Sequence, residues 1–279
     1  MAMRALRAAL ALLLVGATPA AEHSLVQRAA AAIRKASPDA VVTIVDARTL
    51  TIKIKGRDAG TINTDRVDQY CAVNTAAACE VERATFVRNI AATTTTNYEG
   101  VTRAQLRVVV RGDDYVASYK AALDQGKHGA LVTRPVAPGV TAMLAADFPA
   151  STRMINTGDL DALGLTVETA MALGEKQTVA DLPPVPRLAE LKGKLVAVSG
   201  FDYGASLMLL PERWHDLADA SAGSLFVAIP SDGEVIIGIA GKDDLPKLRT
   251  VVADSYGHAS RGISPLIYRW SPQGWIVAE

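Results

Sequence analysis

The chain has 279 residues, with 29 Lys and Arg against 29 Asp and Glu, is 49% hydrophobic and 5% aromatic, and holds two cysteines. Balanced charge gives bulk electrostatics nothing with which to draw in nucleic acid or an anionic membrane surface. Two cysteines exclude a disulfide-dense scaffold and a four-cysteine zinc site, and the apolar fraction excludes disorder.

Arg4 and Arg7 precede an apolar run from Ala8 to Val15, and Thr18 and Ala20 put small residues at a cleavage position. That is the pattern of a signal peptide cut near Ala20, so residues 1–20 are expected to be removed and the protein to be periplasmic or secreted. The run is too short for a bilayer, which needs about 20 apolar residues, and no later segment approaches that length. No membrane span is therefore expected in the mature chain. Cleavage removes two arginines and leaves a net charge near −2. In an oxidising compartment, Cys71 and Cys79 close a short loop and read as a structural disulfide. A redox pair fits less well, since the spacing is not CxxC and no cation stands nearby to lower a thiol pKa.

In chain order, Leu25–Lys35 predicts a helix ended by Ser37-Pro38. Val41–Val45 and Leu50–Lys55 alternate around Asp46–Thr49, a hairpin with Val42, Ile44, Leu50, Ile52 and Ile54 facing inward. Asn63 or Thr64 caps a helix reaching Tyr70, and another follows over Val81–Ile90. Thr93–Asn97 reads as a loop or edge segment. Leu106–Val110 predicts a strand, Tyr115–Leu123 a helix, Val140–Ala146 and Thr152–Asn156 two strands, and Val167–Lys176 a helix with Thr166 as N-cap. Asp181–Pro186 is the best linker signal. Beyond it come a strand over Leu195–Val198, an extended or short helical stretch over Tyr203–Leu210, and a helix over Pro211–Ala218. A hairpin then turns at Pro230–Gly233, a helix covers Asp243–Ser255, and a last hairpin turns at Ser271–Gly274. Strands come in adjacent pairs, which predicts an α+β fold of antiparallel or mixed hairpins with packed helices. Two subdomains are expected, an N-terminal α+β region over 21–135 with the cysteine loop and a C-terminal one over 136–279.

Four segments, Asn156–Thr166, Phe201–Leu210, Val227–Asp232 and Ile263–Tyr268, follow one another in an order that resembles the YtpQ-like family of uncharacterised bacterial proteins. The resemblance spans from about Ala104 to the end and implies the fold; the family has no established activity to transfer. Its members are expected to be cytoplasmic, so the leader and the cysteine loop are departures from the pattern.

Candidate chemistry is sparse. Ser206, in Gly204-Ala205-Ser206, has His215 and His258 as possible bases, but Met208 stands where a nucleophile elbow needs its second glycine. The competing reading is that Ser206 caps or packs the segment after it. Four scattered histidines and the absence of HExxH or an EF-hand loop argue against a metal site. Lack of a GxGxxG or GK[ST] motif argues against a nucleotide cofactor. Asp202, Tyr203, Arg213 and Trp214 have an interface-like composition and would line one groove if Phe201–Leu210 lies beside the Pro230–Gly233 turn. Alternatively Trp214 and Tyr203 complete the core and Arg213 is solvated. The functional expectation is a non-catalytic binding or interaction module for an unknown protein or small molecule, without cofactor. The rival is an envelope serine hydrolase using Ser206 with His215 or His258.

Overall fold

Ser24 opens the first helix, α1 (Leu25–Ala36), where its hydroxyl accepts from the Gln27 amide while the Gln27 side chain accepts from the Ser24 amide. This reciprocal cap satisfies two of the donors that every helix start leaves open. The computed structural model describes residues 24–54, 57–95, 100–126, 129–148, 151–201, 203–241 and 244–278, so the expected leader lies outside the described residues. The fold is α+β, with helices packed on three antiparallel sheets among the described residues.

Val26, Ala29, Ala30 and Ile33 recur at helical spacing on α1 and are buried against the first sheet. That sheet has the order β1 (Ala40–Ile44), β2 (Thr49–Ile54), β3 (Arg57–Asn63). Val42, Leu50 and Ile52 point inward as the alternation predicts, but Ile44 is 42% exposed because it ends its strand beside the turn. Strand β3 has no sequence signal, since Arg57-Asp58-Ala59-Gly60 is polar and glycine-broken. The helices α2 (Asp65–Val73) and α3 (Ala76–Thr95) follow, and α3 packs on α1. Helix α3 takes in Thr93–Thr95, expected as loop, because each hydroxyl donates to a carbonyl three or four residues back. Cys71 of α2 and Cys79 of α3 are bonded as a disulfide with their Cα atoms 4.8 Å apart.

The rest of the chain builds two further sheets around a shared core. Strands β4 (Leu106–Gly112), β5 (Thr133–Ala137), β6 (Val140–Phe148) and β7 (Ser151–Met154) form one, with β6 central, β4 along one edge and β5 and β7 sharing the other. Helix α4 (Asp113–Gly126) joins β4 to β5, and α5 (Thr157–Leu163), α6 (Val167–Asp181) and α7 (Leu188–Leu191) lead onward. The other sheet has the order β12 (Gly274–Val277), β11 (Ile267–Ser271), β9 (Leu225–Ser231), β10 (Glu234–Ile239), β8 (Val196–Ser199). A 3-10 segment, Gly204–Leu209, and α8 (Pro211–Ala220) lie between β8 and β9, and α9 (Leu245–His258) lies between β10 and β11. The neighbour orders β4-β6-β5 and β8-β10-β9 are the same, so a split β-α-β-β unit occurs twice. Strand pairing also runs across position 135/136, where the two subdomains were expected to part.

Alternation sorts each sheet into two faces. Leu106, Val108, Val110, Val140, Ala142 and Leu144 from one sheet share a single core with Leu225, Val227, Ile229, Val235 and Ile237 from the other. Outward, Val109, Met143 and Ala145 meet Tyr115, Val116 and Tyr119 of α4, while Phe226, Ala228 and Ile236 meet Leu245, Leu248 and Val252 of α9.

The free edge of β4 is closed by side chains, not by a strand. The Val108 amide donates to the Thr178 hydroxyl at 2.8 Å, the Val110 amide donates to the Ser206 hydroxyl at 3.3 Å, and Ser206 donates to the Val108 carbonyl at 3.2 Å. Helix α6 comes this close because Gly174 faces the strand: a Cβ there would lie 2.9 Å from Leu144, 3.1 Å from Val108 and 3.2 Å from the Arg107 carbonyl carbon. Gly174→Ala should therefore destabilise, since overpacking against fixed backbone costs about 1–3 kcal/mol and outweighs the ~1 kcal/mol helix-propensity gain. Gly257→Ala, on α9 with nothing within 4 Å of the added carbon, should instead stabilise by up to about 1 kcal/mol. Urea unfolding of the two variants checks the contrast. Reduction of the Cys71–Cys79 bond should lower stability by roughly 2–3 kcal/mol, read from the same transition with and without reductant.

Candidate functional site

The seam between the two larger sheets holds a groove of about 500 Å³. One wall is Arg134, Pro135 and Val136 of β5 with Glu175, Lys176 and Val179 of α6; the other is Trp270 and Trp275 of the β11–β12 hairpin. Met208, Leu209 and Leu210 form the floor, and Glu212 closes the rim. Arg134 donates to Glu175 across the first wall, while Lys176 and Glu212 stand exposed. The lining is thus an apolar strip with charges of both signs around it.

Trp270 and Trp275 line this strip, and Trp214 lies buried behind them. Trp214 and Trp275 meet edge to face with centroids 5.2 Å apart, and Trp270 meets Trp275 likewise at 5.1 Å, the arrangement aromatic quadrupoles favour. The indole N–H of Trp214 donates to the Leu207 carbonyl at 2.7 Å and that of Trp275 to the Met208 carbonyl at 3.1 Å. The 3-10 segment that carries the groove floor is thereby pinned to both α8 and the last hairpin. The buried indole N–H of Trp270 has no acceptor.

Of the expected site residues, few come together. Ser206 is 0% exposed and both functions of its hydroxyl are spent on β4. His215 is exposed on α8 within 3.6 Å of Asp219, and His258 is exposed at the end of α9 within 3.5 Å of Asp254. Neither histidine bonds Ser206, so the nucleophile–base contact that a serine hydrolase requires is missing from this trio. The Ser206 hydroxyl bonds β4, not the segment after it that it was expected to cap or pack.

Of the expected groove residues, the described ones, Tyr203, Arg213 and Trp214, do not share one surface. Trp214 is 0% exposed, and its bulk completes the shared core. Tyr203 turns to the α4 side of its sheet, where its hydroxyl donates to Asp147 at 2.7 Å and lies 3.0 Å from the Thr152 hydroxyl. Its backbone holds a left-handed φ of 61°, a conformation that costs a non-glycine residue about 1 kcal/mol or more. Arg213 is exposed. Asp202 lies outside the described residues. No group of His, Cys, Asp and Glu suited to a metal ion occurs among the described residues.

The seam is sealed at its other side by Tyr268 of β11. Its hydroxyl donates to the Pro138 carbonyl in the β5–β6 turn at 3.0 Å and takes a hydrogen bond from Ser264 at 2.6 Å. Burial pushes its pKa up to about 12, against the opposing pull of the Ser264 bond, so the phenol remains a donor throughout the physiological range.

Comparison of the chain with protein-family models, with curated proteins and with solved structures finds no match. No helix among the described residues is long and apolar enough to cross a membrane.

Ser206→Ala should cost about 1–3 kcal/mol, since it strands the buried Val110 amide without an acceptor. Thermal or denaturant unfolding checks this. Ser206→Thr, which keeps the hydroxyl, should recover part of the loss.

Proposed function

We propose that this chain is an exported, non-catalytic binding module of the YtpQ-like type, and that the seam groove is its contact face. The groove carries the reading: an aromatic wall and an apolar floor ringed by charges of both signs suit a ligand with an apolar face and charged ends. Trp270 is the natural anchor, because it lines the groove and its ring is only partly buried. The engagement of Ser206 with β4, and of each histidine with its own helix's aspartate, supports a non-catalytic role. The disulfide supports export, since such bonds persist in oxidising compartments. The ordered segments shared with the family support the type.

Ligand-observed NMR with a fragment set containing zwitterionic aromatic compounds tests the groove. Hits should lose at least tenfold in affinity in Trp270→Ala and in Lys176→Ala, with both variants unfolding as cooperatively as the parent. Hits that bind both variants unchanged place the contact face elsewhere. Fluorophosphonate treatment of the mature protein should leave Ser206 unmodified; labelling abolished by Ser206→Ala would establish the hydrolase instead.

A further inference from the structure

Away from the groove, and sharing no lining residue with it, two arginines pair with one carboxylate and a third is bonded to the loop beside them. Arg111 is next to last on β4, Arg261 follows α9, and Arg66 stands on α2 of the N-terminal unit. Asp232, in the β9–β10 turn, lies 3.3 Å from Arg261 and 3.9 Å from Arg111. The backbone fixes this meeting point. The Asp232 amide donates to the Arg261 carbonyl at 3.1 Å, the Ile263 amide donates to the Pro230 carbonyl at 3.0 Å, and Gly112 lies so near the Ile263 carbonyl that an added Cβ would sit 2.5 Å from its oxygen. Arg66 is brought in by its hydrogen bond to the Ser260 carbonyl at 2.5 Å, and Asn74, just past the end of the same helix, donates to the His258 carbonyl at 3.3 Å.

The charge at this junction does not balance. Asp232 is the carboxylate that ion-pairs with Arg111 and Arg261 among the described residues, and Arg66 is bonded to the same loop next to Arg261. A guanidinium offers five N–H donors, yet among the described residues each of these makes one hydrogen bond: Arg66 to Ser260, Arg111 to the Val110 carbonyl, Arg261 to Asp232. Arg111 cannot shed its surplus to water, for its side chain is only 12% exposed, and it is held above the Tyr115 ring with its guanidinium carbon 5.8 Å from the centroid. Loss of water, and then the Arg261 charge, pull the Arg66 guanidinium below its ordinary pKa, against the opposing pull of Asp232.

We propose that Arg66, Arg111 and Arg261 form an anion site for a phosphate group. Among the described residues two positive charges remain after Asp232 is counted, and a phosphate monoester carries close to two negative charges at neutral pH. Guanidinium forks match its oxygens in paired hydrogen bonds. Asp232 then acts to hold Arg111 and Arg261 apart and oriented, leaving their other donors for the ligand. Because Arg66 belongs to α2, occupancy also ties the disulfide-linked N-terminal unit to the sheets beneath it.

Titration of the mature protein with inorganic phosphate tests the site. We expect saturable binding by calorimetry and a rise in Tm that potassium chloride at matched ionic strength does not reproduce. Arg261→Gln and Arg66→Gln should weaken binding at least tenfold while leaving the unliganded circular dichroism unchanged. Arg111→Lys, which keeps the charge but loses the fork, should weaken it as well. Succinate binding as tightly as phosphate would overturn the phosphate assignment, and a phosphate response equal to chloride or unchanged in Arg261→Gln would overturn the site.

Discussion

The structure depends on how the outer edge of β4 is satisfied. A strand buried at the edge of its sheet leaves amides and carbonyls that water cannot reach, and each would cost a few kcal/mol if left alone. Here two hydroxyls, Thr178 from α6 and Ser206 from the 3-10 segment, take the places that a fifth strand would fill. The elements that supply them also carry the floor and part of one wall of the seam groove. Edge closure and groove formation are therefore one event, and Gly174 sets the distance at which it happens.

The same economy explains why the polar groups near the seam point inward to backbone and not outward to a ligand. Tyr268 spends its hydroxyl on the Pro138 carbonyl, and Trp214 and Trp275 spend their indole N–H groups on the 3-10 segment. What is left facing the groove is apolar surface with charged side chains at its rim.

Much of this fold is legible in the sequence where a residue's local chemistry and its tertiary setting agree. The Thr166 cap of α6, the Asp232-Gly233 turn and the last hairpin sit where their residues predict. Legibility fails where tertiary pairing overrides composition. Strand β5 is hidden by Pro135, which lacks an amide and sits at the register shift of its ladder. Helix α5 begins with Thr157-Gly158, poor helix formers held by the reciprocal cap between Asn156 and Asp159. Composition marks Trp214 for an interface and for a core equally well; only the packing against Trp275 separates the two. The groove and the guanidinium cluster were beyond reach for a simpler reason. Their residues are scattered over 134–275 and 66–261, and no spacing rule links positions that only the fold brings together.

The twice-used β-α-β-β order has a kinetic meaning. Each unit closes its three strands within one stretch of chain, from Leu106 to Phe148 and again from Val196 to Ile239, so each sheet is assembled from contacts of modest sequence separation. Loop-closure entropy rises with the length of chain to be drawn in, and short closures make for fast folding. The slow step then falls to the partners that must come from afar: Ser206 reaching back to β4, and the β11–β12 hairpin docking beside β5. On that account the halves take shape early, and the seam between them is the last part of the molecule to be made and the first to open.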